Sequence, residues 1–394
     1  MKIVHVVNRC VPGEYLGGVE RVVLDLATAQ AQSGADVTIA AYSSSPSADR
    51  VIEERLRIRY FGGRTLLGVV SSPPMFAALG AEAPPFDVLH AHATFHPLNW
   101  EAARLAAARG RSIFFHAHGA LDPRLIRGAS LRTLKKKAYI ALVERRNLNG
   151  ANAVFALSTQ EEQQLREMGV SAPIEIVPNG VAPPPVGTVA GGLRLRHTLG
   201  IDPTAPVVLY LGRIVAKKRI EAIIQALALL PSSGPAACLL IGGNEDEPDY
   251  ARTLRALIEE LGLRARVHWL GFLKEVDKPD VFAASNVFVH ASESEGMAMS
   301  ILEGMAAGLP TLVTPGCYMT EASAAGAVLE TAGDPQAIRA GLAKLTEDAG
   351  LAARIGQHGR AYVAENHGWP ALAKRVLAAY DQYSHNQADG HTSR

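Results

Sequence analysis

Short apolar runs of four to seven residues alternate with helical patterns along this chain, and the series runs twice. "KIVHVV" opens the first series, followed by a helical stretch from about Gly18 to Ser33 and then "DVTIAAY". "FDVLHAH", a helix near 97–109, "SIFFHAHG", a basic helical stretch, "ANAVFALS" and "IEIVPNGV" continue it. Strands of this length separated by helices are βαβ units, and they predict a parallel, doubly wound sheet. Residues 178–192, "PNGVAPPPVGTVAGG", are rich in proline and glycine and read as a linker. The pattern then restarts with "PVVLYLGR", a helix near 220–230, "AACLLIGG", a helix near 249–262, "RVHWLGF", "NVFVHAS" and "PTLVTP". Helical patterns at 334–349, 351–365 and 370–384 close the chain.

The expectation is an α/β protein of two Rossmann-like doubly wound domains facing across a cleft. Ligands of such folds bind at the C-terminal ends of the strands. The expected division is 1–182 for the first domain, 183–203 for the linker and 204–368 for the second domain, with a last helix and a frayed tail in 369–394. A length of 394 residues accommodates this, at roughly 150 residues per domain. With 48% hydrophobic and 20% charged residues, the chain has ample apolar material for two cores. Its net charge of +1 implies no general attraction to nucleic acid.

Cys10, Cys238 and Cys317 lie far apart without metal spacing, which points to free thiols in a reducing cytoplasm. The first strand begins at once, without the apolar region of a secretory leader. No apolar stretch approaches the ~18 residues of a membrane span.

The densest chemistry lies in "ESEGMAMSILEGMAAGLP", residues 293–310. Glu295 and Glu303 stand eight apart, and Met299 to Ala307 reads as a helix stopped by Gly308 and Pro310. Small residues at Gly296, Ala298 and Ser300 leave backbone N–H groups at the helix start, where the dipole favours an anion such as a phosphate. Were the segment helical throughout, the two carboxylates would be separated by about 12 Å of rise. One would then accept hydrogen bonds at each end of a ligand with a phosphate between, which describes a nucleotide sugar. The competing reading is a surface glutamate plus an ordinary helix entry.

Other stretches offer weaker signals. In "LGRIVAKKR", Arg213, Lys217 and Lys218 follow a buried strand and can neutralise a diphosphate leaving group, unless the turn is merely solvated. "LGGVER" places Gly17 and Gly18 where backbone can approach a phosphate, although it is not the dinucleotide fingerprint. "HAHGALDP" holds His116 and His118, which share a strand face if the strand persists, and "HAHATFH" at 90–96 repeats the theme. No carboxylate or cysteine falls at a usual zinc spacing, so no metal is expected there. The acidic "NEDEPD" at 244–249 reads as a solvated helix entry in preference to a cation site. Lys135–Lys137 and Arg145–Arg146, interleaved with apolar residues, form either a basic surface helix or an attachment to anionic lipid.

Taken together, "GGVER", "HGALDP", "PNGV", "LGRIVAKK", "IGG", "HWLGFL" and "NVFVHASESEGMAMSILEGMAAGLP" resemble the family-four retaining glycosyltransferases with the GT-B fold. The resemblance covers almost the whole chain, and its Glu-x7-Glu element is the most specific part. It implies that Glu295 contacts the donor sugar's hydroxyls and Glu303 the ribose. Arg213 and Lys218 would hold the diphosphate, with the amides of Met297 to Ser300, Met299 included, and of Gly18. His118 would sit beside the reacting sugar, Gly271 to Leu273 would contact the base, and the last helix would cross back onto the first domain. The implied activity is transfer from a nucleotide diphosphate sugar to a sugar or lipid-linked acceptor in polysaccharide or glycolipid assembly, with no metal or other cofactor. The implied location is cytoplasmic, extending to the cytoplasmic face of a membrane.

The chain departs from the family pattern at Arg219, where glycine is usual after the lysine, at Asn286 and His290, where aspartate and proline are usual, and at Gly304, where alanine is usual. The rival readings are a nucleotide-sugar epimerase or phosphorylase on a related scaffold and a catalytically silent nucleotide-sugar-binding protein.

Overall fold

β-Branched and aromatic residues favour extended backbone, and a run of them buried on both faces forms a central strand of a parallel sheet. That is what the apolar runs do in a computed structural model of the chain. The structure describes residues 1–11, 17–44, 48–66, 69–94, 97–126, 128, 131–182, 187–230 and 234–390. They form two compact units, one of Met1–Gly180 with Gly368–Arg394 and one of Val181–His367.

In the first unit, strands β1 (Lys2–Val7), β2 (Asp36–Tyr42), β3 (Arg50–Glu53) and β4 (Leu56–Phe61) are followed by a small ribbon of β5 (Arg64–Leu66) and β6 (Val69–Ser71). Strands β7 (Val88–His92), β8 (Ser112–His116), β9 (Ala153–Ala156) and β10 (Ile174–Ile176) complete it. The eight-stranded sheet has the order β10-β9-β8-β7-β1-β2-β4-β3. It is parallel except for β3, which turns back on β4 as an edge hairpin that the apolar periodicity does not reveal. The chain therefore starts in the middle of the sheet and reverses direction between β1 and β7, where a doubly wound fold opens a crevice.

The second unit repeats this plan with β11 (Val207–Leu211), β12 (Cys238–Gly242), β13 (Val267–Gly271), β14 (Val287–His290), β15 (Thr311–Val313) and β16 (Leu329–Glu330). Its order, β13-β12-β11-β14-β15-β16, puts the switch point between β11 and β14. Residues of β11 and β14 such as Val208, Leu209, Val287 and Phe288 are fully enclosed. Burial of each such side chain contributes roughly 1.5–3 kcal/mol.

Part of the segment expected as linker, 183–203, is instead a helix, Val189–Thr198, within the second unit. Thr188 caps it by accepting from the Gly191 amide at 2.9 Å. The glycines that suggested a linker are a packing device: a Cβ on Gly192 would come within 2.6 Å of the Ala283 carbonyl, in the helix Lys278–Ala284. Arg196 then ties the helix to the strands by donating to the carbonyls of Ala284, Pro203 and Ala205 and to Asn286 Oδ1, at 2.7–2.9 Å. Asn286 Oδ1 also accepts from the Val207 amide at 2.8 Å, so asparagine supplies the acceptor that an aspartate there would.

The last helix, Trp369–Gly390, belongs to the first unit and packs along the helix Gly18–Gln32. Its Tyr380 is fully buried against His90, Phe114 and Phe155 on one face of the sheet.

Candidate active site

In the second unit, the loops leaving β11 and β14 flank the switch point and are stitched together. The Glu293 amide donates to the Lys217 carbonyl at 2.9 Å, and Lys217 Nζ lies 3.4 Å from the Ser294 carbonyl. Lys218 Nζ donates to Glu295 Oε1, and the pair is about 92% buried. Ser292 Oγ donates to the same oxygen, and His290 Nε2 lies 3.2 Å from it. Burial works against the charge on Glu295, yet the Lys218 ammonium and then the His290 hydrogen bond hold its carboxyl well below the usual range. Glu295 is therefore a carboxylate at neutral pH, suited to accepting hydroxyl hydrogen bonds and unsuited to donating a proton.

Arg219 explains why Lys218 rather than Lys217 reaches Glu295. It adopts a left-handed conformation, φ 52°, ending the turn Ala216–Lys218 and opening the helix Ile220–Ala228. A glycine fits such a backbone without cost, and arginine holds it here as a rare non-glycine case. The turn directs Lys218 inward.

The helix at the second carboxylate runs Met299–Ala306, and Gly308 follows it with φ 80°. Residues 295–298 are not helical, so the expected 12 Å helical separation of the glutamates does not apply. Gly296, Met297, Ala298, Met299 and Ser300 are all partly exposed at the helix start, where first-turn amides have no intrahelical acceptor. Glu303 accepts from Lys278 Nζ with both oxygens, at 2.8 and 2.9 Å. Burial works to lower the Lys278 ammonium, but the charges of Glu303 and Glu275 outweigh it and raise it above its ordinary range. At the end of β13, Leu273 packs against Gly242, where a Cβ would approach it to 3.0 Å. Gly304 has an equally local reason: a Cβ there would come within 2.8 Å of the Phe288 ring.

Arg213 is half-exposed and lies 3.3 Å from Asp246. The acidic loop at 244–249 is engaged in pairings of this kind. Glu245 pairs with Arg255, Asp249 with Arg252, and Glu247 accepts from the Ala216 amide at 2.9 Å. It thus braces the cationic loop after β11.

The first unit brings five histidines together at its own switch point. His5 on β1 is the register partner of His90 on β7, and His92 is the partner of His116 on β8. Residues two apart on a strand share a face, so the four line one surface. β8 ends at His116, so the strand does not persist to His118. His118 instead turns back with φ 54°, and its ring stacks on His116 at 4.0 Å. His5, His90, His92 and His116 are buried, and His118 alone of the five is partly exposed.

His118 Nε2 lies 3.0 Å from His92 Nδ1, His92 Nε2 lies 2.8 Å from His5 Nδ1, and His5 Nε2 lies 2.7 Å from Gln30 Oε1. Gln30 Nε2 reaches Tyr380 Oη at 3.4 Å, which lies 2.6 Å from His90 Nδ1. Burial lowers all five imidazoles, His5 to about 4 and His118 to about 3, so the cluster is neutral.

Two triplets, His5–His90–His92 and His92–His116–His118, have ring nitrogens within 4.8 Å of one another and could hold a metal. Two nitrogens on one tetrahedral zinc stand about 3.3 Å apart, given Zn–N bonds of ~2.0–2.1 Å. The bonded pairs at 2.8 and 3.0 Å are closer than that, and their geometry is that of hydrogen bonds.

Glu161 secures the turn that carries His118. It accepts from the Gly119 amide with one oxygen and from the Leu157 amide, at 2.6 Å, with the other. Burial nevertheless pushes its carboxyl up to about 7. Gly17 caps the helix Gly18–Gln32, so both glycines sit at that helix's N-terminus. Leu16 and His96, within two of the quoted motifs, lie outside the described residues. The basic helix Leu131–Tyr139 exposes Leu131 and Leu134, together with Lys135 and Lys137, and Leu142 is exposed in the turn beyond it.

His290, Ser292, Lys278, Gln30, Tyr380 and Glu161 were not singled out by sequence reasoning. His290 stands among the noted departures from the family pattern, which was a signal of sorts. Ser292 is a local neighbour, three residues before Glu295, and the others reach their partners through tertiary packing within their own units.

Two family models match the chain, one described as glycosyl transferases group 1 over residues 194–362 and one as a glycosyl transferase 4-like domain over residues 17–180. A D-inositol 3-phosphate glycosyltransferase of Xylanimonas cellulosilytica is 27% identical, over 93% of this chain and 92% of the relative. The lipopolysaccharide glucosyltransferase WaaG of Escherichia coli is 32% identical over 34% of this chain and 36% of its own. Among solved structures, sucrose-phosphate synthase of Thermosynechococcus elongatus superposes with a TM-score of 0.80 at 21% identity, covering 97% of this chain and 98% of the other. Anabaena HepE in complex with UDP and glucose gives a TM-score of 0.78 at 21% identity, over 97% and 100% of the two chains.

Proposed function

The chain belongs to the GT4-type glycosyltransferases with the GT-B fold, and we propose that it transfers a hexosyl group from a nucleotide diphosphate sugar to a hydroxyl acceptor with retention at the anomeric carbon. The observation that carries this reading is the buried Lys218–Glu295 pair with Ser292 and His290, set between the loops of β11 and β14. A fixed carboxylate for sugar hydroxyls lies beside a fixed ammonium for phosphate oxygens, and both are aligned before substrate arrives.

In the proposed reaction the bond between the anomeric carbon and the diphosphate oxygen breaks, and negative charge builds on the leaving group. Lys218, Arg213 and the first-turn amides of the helix Met299–Ala306 stabilise that charge, which makes a metal unnecessary. The acceptor hydroxyl attacks the same face as the departing phosphate, and its proton passes to a phosphate oxygen. Glu295 orients the donor sugar, Glu303 takes the ribose, and the loop ending at Leu273 flanks the base. His118, in the first unit, is assigned to a hydroxyl of a reacting sugar.

HepE crystallised with UDP and glucose supports a nucleotide-sugar donor. The partial relative WaaG, named a lipopolysaccharide glucosyltransferase, supports a glycolipid among the candidate acceptors. Among the described residues no helix is long and apolar enough to cross a membrane. The exposed Leu131, Leu134 and Leu142 beside Lys135 and Lys137 suit attachment to an anionic surface.

The deciding experiment is incubation with a panel of nucleotide sugars and acceptors, with the product's anomeric configuration read by NMR. Retained configuration supports the reading. An inverted product overturns retention, and donor isomerised without any acceptor means an epimerase.

A further inference from the structure

The chain of contacts that ends at His118 has a direction. Gln30 Oε1 is an acceptor with no proton to give, so His5 Nε2, 2.7 Å away, carries the proton in that bond. His5 is neutral, so its Nδ1 is a bare lone pair and His92 Nε2 must donate to it. His92 is neutral in turn, so its Nδ1 accepts, and the donor is His118 Nε2. Each ring has one proton to place, and one amide oxygen settles all three placements.

The amide's other end is satisfied in the same orientation. Gln30 Nε2 faces Tyr380 Oη, and the hydroxyl proton is then free to go to His90 Nδ1 at 2.6 Å. A reversed amide would put its NH2 against His5 and reverse every proton in the chain. The structure assigns Oε1 to the His5 side and Nε2 to the Tyr380 side, which selects the first of these states. Gln30, His5 and Tyr380 are fully buried, so water does not compete for these bonds. His118 is the end that solvent reaches, and among the described residues its Nδ1 makes no hydrogen bond.

We propose that Gln30 is a positioning residue which, through His5 and His92, holds His118 as the Nε2–H tautomer and leaves its Nδ1 lone pair to accept a hydrogen bond from a sugar hydroxyl. The role for the sugar rests on the transferase reading above, while the tautomer itself does not depend on it. Tyr380 extends the chain of contacts: the last helix, which follows the whole second unit in sequence, supplies the partner of the amide's NH2.

The test is long-range 15N–1H correlation NMR on full-length protein labelled at histidine, with Gln30→Leu and Gln30→Glu beside wild type. Wild-type His118 should show an unprotonated Nδ1 and a protonated Nε2. Gln30→Leu, which removes the acceptor at similar volume, should give a mixture of tautomers. Gln30→Glu, which keeps an acceptor, should restore the wild-type pattern. Turnover should follow the tautomer, falling roughly tenfold in kcat for Gln30→Leu with donor KM within about twofold, and recovering in Gln30→Glu.

A wild-type His118 protonated at Nδ1 overturns the proposal without any variant. So does a Gln30→Leu protein whose His118 signals are unmoved, whatever its activity. Wild type with the stated tautomer but no transfer to any acceptor sinks the transferase reading and leaves the relay standing.

Discussion

Lys218 Nζ donates to Glu295 Oε1 across 77 residues of sequence, and the two side chains are each 8% exposed. A buried ion pair is costly to break, because the surviving partner is left charged in a poor solvent. Glu295→Ala is therefore expected to lower kcat and also to destabilise the protein by about 3–5 kcal/mol. Adding Lys218→Met should recover much of the stability while turnover stays low. Denaturant unfolding and steady-state kinetics on the three variants check this. A Glu295→Ala protein with wild-type turnover would sink the assignment.

Glu303, proposed to take the ribose, should behave differently, because a contact far from the reacting carbon would bind ground state and transition state alike. Losing hydrogen bonds to a charged group costs about 1–3 kcal/mol. Glu303→Ala is therefore expected to raise donor KM by roughly five- to 150-fold with kcat little changed. It also frees Lys278 from its bidentate partner. A fall in kcat alone would instead place Glu303 at the chemistry.

Activity is expected to survive chelation. Lys218, Arg213 and the helix amides supply the positive charge that a metal would bring to the diphosphate. Turnover assayed with and without excess EDTA, and then with added magnesium, manganese or zinc, checks it. Loss with EDTA that a divalent ion restores would contradict metal independence and turn attention to the histidine triplets and the loop at 244–249.

Glu161 makes stability depend on pH. Burial raises its folded carboxyl to about 7, above an unfolded value near 4.5. Between these values the folded state binds a proton that the unfolded chain does not. The contribution is therefore fully present below about pH 4.5 and is lost as pH rises through 7. The shift corresponds to about 3 kcal/mol. Glu161→Gln should abolish this component, read by unfolding at pH 5 and pH 8. The variant should also be less stable at pH 5, because its NH2 group cannot accept from one of the two backbone amides. An unchanged pH profile in the variant would reject the assignment.

The basic helix gives a prediction about location. Each lysine or arginine near an anionic leaflet contributes about 1 kcal/mol, so a cluster suffices for reversible attachment. Screening limits its reach to about 8 Å at physiological ionic strength, and binding should weaken with salt. Wild type should co-sediment with phosphatidylserine vesicles at low salt, and the triple variant Lys135→Glu, Lys136→Glu, Lys137→Glu should stay in solution. Failure of wild type to sediment would leave the helix a solvated face.

Much of the architecture is local and was legible in the sequence. "KIVHVV" and "PVVLYLGR" are buried strands because β-branched side chains suit extended backbone whatever surrounds them. Gly308 stops its helix because only a residue at ease with positive φ continues from it. The glycine pair at 191–192 misled for the converse reason. A missing Cβ serves a flexible linker and a close helix contact equally well, and only the positions of Asp280 and Ala283 tell them apart. The hairpin Arg50–Phe61 escaped notice because its edge strand, exposed at Arg50 and Val51, carries little apolar signal.

The site divides along the same line. Residue types and local spacing determined that Glu295, Glu303, Arg213, Lys218 and His118 would stand at strand ends or on a helix entry, because a strand places its last residue at the sheet's edge without outside help. Only the tertiary structure decided what each one meets. Lys218 rather than Lys217 faces Glu295 because the backbone of Arg219 is left-handed. Gln30 and Tyr380, 350 residues apart, converge because the final helix packs on the first. Protonation states and tautomers depend on these contacts, since burial and hydrogen-bond partners are properties of the packed chain and leave no trace in the order of its residues.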